Sequence, residues 1–244
     1  MLPKIAIITG ASSGIGESVC SEFINKGYKV YGISRTQPKF TSVLFIWIKT
    51  DLYKPSEIRK INNKIKENKI DLLINCAGTA KEKLALDYSE KDFDFTFDLN
   101  FKAPIYLTQT LKTKLQGGTI INISSTSDRI PEKKYALYCA SKTALNLFFD
   151  SLALEEKEIK IINILPDYVN TPLLRKVIGD KNFDWSIPLK PQEIAEAFIQ
   201  VITKQEIISG TQIIIASNKL KFSFEDREKL WGYNVDSKTL FKLK

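Results

Sequence analysis

Residues 4–16 read KIAIITGASSGIG, in which a short apolar run leads into a glycine-rich turn and then into a helical pattern. Glycines at positions 10, 14 and 16 let the backbone turn sharply and approach a ligand closely. The helix that follows offers free N–H groups and the positive end of its dipole to a pyrophosphate. A strand, a glycine turn and a helix in this order predict a dinucleotide-binding α/β fold.

Seven apolar, β-branched runs alternate with helical patterns along the chain. Strands that are apolar on both faces are typical of a parallel sheet covered on both sides. We therefore predict one domain over residues 1–244, a Rossmann-type doubly wound parallel α/β sheet of about seven strands with helices on both faces. The predicted strands are 4–9, 28–34, 43–49, 70–77, 118–124, 159–165 and 211–217.

The segment DFDFTFDLNF (92–101) fits a strand by its alternation and a helix by the i, i+4 spacing of its phenylalanines. We predict a helix, because Ser89 just before it is a suitable N-terminal cap. Pro104 has no N–H, so the helix should kink and the carbonyl of Asn100 should lose its helical partner. Ile58, Ile61 and Ile65 predict a further helix with one apolar face.

The composition excludes several classes of function. The 244 residues contain 36 Lys and Arg against 28 Asp and Glu, a net charge of +8 that is spread along the chain rather than clustered. We expect no nucleic-acid partner, because no basic block or aromatic–basic repeat occurs. There is no histidine, so Tyr, Lys, Ser and carboxylates are the candidates for proton transfer, and we predict no metal site.

Three cysteines without a Cys-x-x-Cys pair indicate free thiols in a reducing compartment. The N-terminus lacks the layout of a signal peptide, and the longest apolar run is too short to cross a bilayer. The sequence therefore predicts a soluble, cytoplasmic protein without a membrane partner.

In ALYCASKTAL (136–145), Tyr138 precedes Lys142 by one helical turn, so both side chains leave the same face. One interpretation is chance, since this spacing is common in proteins. The other is that the lysine lowers the pKa of the tyrosine and makes it a usable acid or base near neutral pH.

Several motifs occur together in one order: TGASSGIG (9–16), INCAG (74–78), Asn100, INISS (121–125), YCASK (138–142) and ILPDYVNTPLL (164–174). In this order and spacing the chain resembles the short-chain dehydrogenase/reductase family, in its small single-domain branch with Gly-x-x-x-Gly-x-Gly and Tyr-x-x-x-Lys. The resemblance covers roughly residues 4–216 and favours chemistry over chance for Tyr138 and Lys142.

The resemblance implies an oxidoreductase that moves a hydride between a nicotinamide cofactor and a carbonyl or secondary alcohol of a small molecule. It implies four catalytic residues: Tyr138 as acid–base, Lys142 beside it, Ser125 on the substrate oxygen, and Asn100, whose freed carbonyl holds a relay water in relatives. The family commonly forms homodimers or homotetramers, so we expect one of these assemblies.

The predicted cofactor contacts follow the same motifs. Asn75 is expected to tie neighbouring strands, and Asp51 is either an adenine contact or a cap of the next helix. The full predicted set is Gly10, Ser12, Ser13, Gly14, Ile15, Gly16, Ser34, Arg35, Thr36, Asp51, Leu52, Asn75, Ala77, Gly78, Tyr138, Lys142, Val169 and Thr171.

Strand two ends in YGISRT, which predicts NADP(H) in preference to NAD(H), with NAD(H) still possible. An NAD site usually carries an acid at this strand end, and here Ser34 occupies that place. Arg35 can pair with a 2′-phosphate, and Ser34 and Thr36 can add neutral donors. The alternative is that Arg35 is a solvated loop residue.

Three features depart from the family pattern or extend it. Asp167 stands where glycine is usual, residues 172–188 are expected to form a substrate lid, and residues 217–244 are expected to pack on the body or on a neighbouring subunit.

Two other functions are possible on this fold: a catalytically silent dinucleotide sensor, and a nucleotide-sugar epimerase. The four catalytic residues disfavour the first, and the glycine spacing and the lack of a substrate domain disfavour the second.

Overall fold

A computed structural model describes residues 3–179, 182–216 and 230–242 of the chain. Its centre is one sheet with the strand order β3-β2-β1-β4-β5-β6-β7-β8-β9, in which β1 to β8 are parallel and β9 is antiparallel to β8. The strands are β1 (Ile5–Thr9), β2 (Lys29–Ser34), β3 (Phe45–Lys49), β4 (Leu72–Asn75), β5 (Thr119–Ile123), β6 (Lys160–Pro166), β7 (Thr211–Ala216), β8 (Leu230–Asn234) and β9 (Thr239–Lys242).

Helices cover both faces of this sheet, which confirms the predicted doubly wound α/β class. They are α1 (Gly14–Asn25), α2 (Pro55–Ile58), α3 (Glu90–Phe97), α4 (Ala103–Leu111), α5 (Ala136–Glu155), α6 (Pro172–Ile178) and α7 (Pro191–Thr203). One buried cluster, which includes Val19 and Phe198, packs α1 and α7 on one face. A second cluster, which includes Leu107 and Phe149, packs α4 and α5 on the other face.

The described part of the chain has nine strands where about seven were predicted. All seven predicted strands are present, and the two additional ones come from residues 230–242 of the predicted C-terminal extension. In β8 the side chain of Tyr233 is buried, and the ammonium of Lys204, which follows α7, lies 4.9 Å from the centre of the Trp231 ring. This part of the extension therefore packs on the body, while residues 217–229 and 243–244 lie outside the described residues.

The helix predicted around residues 92–101 is present, and Ser89 caps it. The Ser89 hydroxyl accepts from the backbone N–H of Asp92, whose carboxylate accepts in return from the Ser89 backbone. The predicted kink takes the form of a π-helical turn over Asp98–Lys102 that joins α3 to α4, with Pro104 in the first turn of α4. This turn places Asn100 inside the fold, where its side chain is 1% exposed.

The helix predicted from Ile58, Ile61 and Ile65 is short and broken. Only Pro55–Ile58 is α-helical, and a 3₁₀ turn follows over Ile61–Lys64. The three isoleucines are nevertheless buried, so their apolar spacing identified the buried face correctly. The ammonium of Lys114 donates to the carbonyl of Ile65 over 2.7 Å and replaces a helical bond there.

A ladder of amide side chains crosses four neighbouring strands at one register. Asn75, Asn122, Asn163 and Gln212 lie side by side on β4, β5, β6 and β7. Asn75 Nδ2 donates to Asn122 Oδ1 over 2.8 Å, and Asn122 Nδ2 donates to Asn163 Oδ1 over 2.9 Å. The carboxylate of Asp150 in α5 accepts from both Asn163 and Gln212. This ladder, which we call the amide ladder, therefore fixes α5 on the sheet.

Candidate active site

A cavity of about 330 Å³ lies at the carboxyl ends of the parallel strands, where the turns after β1 to β6 meet. All predicted site residues except Asn75 and Asn100 line this cavity. Asn75 belongs to the amide ladder instead, as its expected structural role requires. Asn100 lies behind the wall, where an added Cβ on Gly78 would lie 3.5 Å from Asn100 Oδ1 and 3.6 Å from Lys142 Nζ.

The glycine turn forms the wall of the cavity next to the N-terminus of α1. A Cβ on Gly16 would lie 2.4 Å from the carbonyl oxygen of Gly10, so any side chain there would collide with the backbone. Gly14 has φ +58, and a Cβ there would lie 3.1 Å from Thr171 Cγ2. Ser13 precedes the helix in an extended conformation, and its side chain makes no capping bond. A cradle of bare backbone at a helix N-terminus fits a pyrophosphate.

Helix α5 carries Tyr138 and Lys142 into the opposite end of the cavity. The Lys142 ammonium lies 5.7 Å from the centre of the Tyr138 ring and donates to the carbonyl oxygen of Ile123 over 2.7 Å. The lysine side chain is 4% exposed, and burial lowers its pKa to about 8. A lysine with this pKa is still mainly protonated at neutral pH.

Burial raises the pKa of Tyr138 to about 12, and a hydrogen bond with the Ser125 side chain opposes this only in part. The sequence predicted that Lys142 lowers this pKa, whereas the pKa of the phenol in the folded protein is raised. Burial is the largest cause, since loss of water disfavours the charged phenolate. The phenol consequently carries its proton at neutral pH and can act as a proton donor.

Asn100 is held by three hydrogen bonds from its side chain. Its Oδ1 accepts from the backbone N–H of Thr79 over 2.8 Å. Its Nδ2 donates to the Thr79 carbonyl over 2.8 Å and to Ser141 Oγ over 2.9 Å. Ser141 in turn donates to the backbone carbonyl of Tyr138 over 2.8 Å. These contacts connect the π-helical turn to the turn of α5 that carries the tyrosine.

Ser125 lies at the end of β5, and its hydroxyl belongs to a chain that reaches a carboxylate. Its Oγ accepts from the backbone N–H of Ser127 over 3.1 Å and lies 3.0 Å from Ser127 Oγ. The Ser127 hydroxyl donates to Glu132 Oε1, and the Tyr168 hydroxyl lies 3.4 Å from Glu132 Oε2.

Sequence reasoning missed several residues of this cavity wall, among them the polar residues Ser127, Glu132, Tyr135 and Tyr168. One signal was available, because the loop between a parallel strand and the next helix opens at the carboxyl edge of the sheet. Glu132 is in the loop that follows β5, so a carboxylate near the substrate end could have been predicted.

At the other end of the cavity, Arg35 and Thr36 are exposed, and the Arg35 guanidinium lies 5.7 Å from the centre of the Tyr53 ring. The Ser34 hydroxyl donates to the carbonyl of Thr36 over 2.7 Å and accepts from Trp47 Nε1 over 3.1 Å. The Ser34 hydroxyl therefore makes both of these hydrogen bonds within the chain. It was expected to be a free donor to the 2′-phosphate, and in this structure it is not free.

Asp51 serves the turn before α2. Its Oδ1 accepts from the backbone N–H of Tyr53 over 3.2 Å, and its Oδ2 lies 3.8 Å from the Lys54 ammonium. The residue also lines the cavity, so both roles weighed for it, a structural turn and an adenine contact, are compatible with its position.

Helix α6 begins the segment expected to be a lid and contributes to the wall through Leu173, Leu174 and Val177. The Thr171 hydroxyl caps this helix by accepting from the backbone N–H of Leu174 over 3.2 Å. Tyr135 donates to the carbonyl of Val177 over 3.0 Å and joins α6 to the loop before α5. Residues 180 and 181 of the expected lid lie outside the described residues.

Within the described ranges, no cluster of three or more His, Cys, Asp or Glu residues could hold a metal ion. Among the same residues, no helix is long and apolar enough to span a bilayer.

Three comparisons place the chain among known proteins. Residues 4–182 match the family model described as short chain dehydrogenase. An oxidoreductase of Staphylococcus haemolyticus is 28% identical over 226 residues, which cover 87% of this chain and 96% of that protein. An NAD-dependent glycerol dehydrogenase of Listeria innocua is 29% identical over 238 residues and covers 87% of this chain and 92% of that protein. The solved structure of ElxO with NADP bound has a TM-score of 0.78 at 25% identity and covers 87% of this chain and 96% of that one.

Proposed function

The chain belongs to the short-chain dehydrogenase family, and we propose that it reduces a carbonyl group, or oxidises a secondary alcohol, of a small molecule with NADP(H). One observation carries this proposal. Tyr138, Ser125 and Lys142 meet at one end of a cavity whose other end is the glycine cradle at the N-terminus of α1. A bound nicotinamide supplies or accepts the hydride.

The residues of the chain supply the proton and the orientation. Tyr138 donates its proton to the carbonyl oxygen, since its pKa of about 12 keeps the phenol neutral. Ser125 adds a second hydroxyl where negative charge develops on that oxygen. The glycine turn would hold the pyrophosphate, and Lys142 would hold the nicotinamide ribose. Asn100 would link Lys142 to solvent through a water on its backbone carbonyl.

The preference for NADP(H) over NAD(H) rests on the turn after β2. Arg35 is exposed in the cavity wall, and a guanidinium can bind a 2′-phosphate through two parallel bonds. Relatives do not decide the matter, because the glycerol dehydrogenase named above is NAD-dependent and ElxO binds NADP.

Assembly and location are part of the same proposal. We expect a homodimer or homotetramer, and the exposed apolar side chains of α5 support self-association: Leu147 is 67% and Leu154 is 66% exposed. Sedimentation of the wild type beside Leu147→Lys tests this, and a monomeric wild type would contradict it.

A cytoplasmic location stays a prediction, supported by three free cysteines.

The test of activity is the loss of NADPH absorbance with a panel of ketones, aldehydes and the reverse oxidation of alcohols. Tyr138→Phe keeps the ring and removes the proton donor, so turnover should fall by about 100-fold or more while the Kd for NADPH stays near that of the wild type. Activity of the variant close to that of the wild type would show that Tyr138 is not the acid.

A further inference from the structure

The two ends of the cavity differ in their charged groups. The cofactor end has Arg35, the positive end of helix α1 and the carboxylate of Asp51. The catalytic end has the carboxylates of Glu132 and Asp167 in its wall: Glu132 is joined to Ser125 through Ser127, and its charge acts on Asp167. Among the described residues that line the cavity, the cations are Arg35 and Lys142. Lys142 lies beside Tyr138, where its ammonium donates to the carbonyl of Ile123.

Glu132 is well placed to act on a substrate. Its Oε1 is held by the Ser127 hydroxyl, which also contacts Ser125, so the carboxylate is fixed two hydrogen bonds from the catalytic serine. Its Oε2 has one hydroxyl partner among the described residues, Tyr168 at 3.4 Å. An oxygen with a single long bond retains capacity to accept from a ligand.

The charge of Glu132 affects the pKa values of the ionisable side chains around this end of the cavity. It contributes to the raised pKa of Tyr138, of Tyr135 and of Tyr168, after burial in each case. The pKa of Asp167 is raised as well: burial is the largest cause, the hydrogen bond from the Tyr168 backbone N–H opposes it, and the charge of Glu132 adds to the rise. Asp167 Oδ2 is buried and has no hydrogen-bond partner among the described residues. A buried carboxylate oxygen without a hydrogen-bond partner is stabilised by a nearby cation.

We propose that Glu132 and Asp167 select the substrate by charge, so that the protein reduces amino ketones to amino alcohols in preference to keto acids. The ammonium group of the substrate lies at the acidic end of the cavity and does not react. The carbonyl carbon gains a hydride from NADPH, and the carbonyl oxygen gains the proton of Tyr138, which solvent replaces. This inference rests on the proposed function, because it names the compound that Tyr138 and Ser125 receive.

Three ketones with the same three-carbon skeleton test the proposal: aminoacetone is cationic, hydroxyacetone is neutral and pyruvate is anionic. At neutral pH, kcat/KM should fall in that order, with aminoacetone favoured over pyruvate by more than about 10-fold. Glu132→Gln and Asp167→Asn should each reduce this ratio by about 5-fold or more. Glu132→Gln keeps an acceptor for Ser127, so its effect reports the charge. Glu155→Gln, an exposed position at the end of α5, is the matched control and should leave the ratio unchanged.

A binding measurement separates this proposal from the proposed function. The wild type saturated with NADP+ binds ketones without reducing them, so their affinities can be measured by ligand-observed NMR. If no ketone is reduced but aminoacetone binds in preference to pyruvate and Glu132→Gln removes the preference, the proposed function fails and charge selection stands. Equal or stronger use of pyruvate, or a preference that survives both variants, would overturn charge selection.

Discussion

The Asn122 amide on β5 donates a hydrogen bond of 2.9 Å to the Asn163 amide on β6, at the centre of the amide ladder. Both side chains are fully buried. Because Asn122 also accepts from Asn75, one side chain joins three strands below the catalytic helix.

Asn122→Ala should lower the free energy of unfolding by about 2–4 kcal/mol, since it leaves a buried donor on Asn75 and a buried acceptor on Asn163 unpaired. Urea denaturation measures this. Asn25→Ala, at the exposed end of α1, is the matched control and should change the value by no more than about 0.5 kcal/mol. A loss below about 1 kcal/mol in Asn122→Ala would show that the ladder contributes little.

Lys142 should make stability rise with pH. Its pKa is about 8 in the folded protein against the ordinary lysine value of 10.5 in the unfolded chain, so the unfolded chain binds more protons between these two values. The free energy of unfolding should therefore increase by about 2 kcal/mol more in the wild type than in Lys142→Met between pH 7 and pH 10. Denaturation of both proteins at the two pH values isolates this residue. The same pH dependence in both proteins would refute the lowered pKa.

Arg35→Ala should weaken NADPH binding by about 10-fold or more and leave NADH binding nearly unchanged, because only NADPH carries the 2′-phosphate. Fluorescence titration of both cofactors measures the two constants. Arg59→Ala removes an arginine at an exposed position outside the cavity and should change neither constant. Equal affinities in the wild type, or equal losses in Arg35→Ala, would exclude a preference for NADP(H) set by this residue.

Pro104→Ala should slow turnover several-fold without weakening NADPH binding. The new N–H can bond to the carbonyl of Asn100, which favours an α-helical turn over the π-helical turn and rotates the Asn100 side chain away from Thr79 and Ser141. Steady-state kinetics and NADPH titration give the two values. Pro191→Ala, in the first turn of α7 and outside the cavity, is the control for replacing a helix-start proline. An unchanged kcat in Pro104→Ala would show that the π-helical turn does not contribute to turnover.

The local features of the fold and site were predictable because short stretches of sequence decide them. The glycine turn after β1 needs only residues 9–16, and the Ser89 cap needs only its own helix start. Seven of the eight parallel strands followed from runs of buried apolar residues, and the spacing of Tyr138 and Lys142 placed both on one face of α5.

The tertiary structure decided what depends on contacts between distant segments and on burial. Asn122 and Asn163 are 41 positions apart, and only the pairing of β5 with β6 brings their amides together. Glu132 joins the site because the loop after β5 forms part of the cavity wall, where Ser127 holds the carboxylate. The pKa of Tyr138 is raised rather than lowered, chiefly because the packed protein excludes water from the phenol. Periodicity and residue spacing carry local geometry, whereas solvent exclusion is a property of the assembled fold.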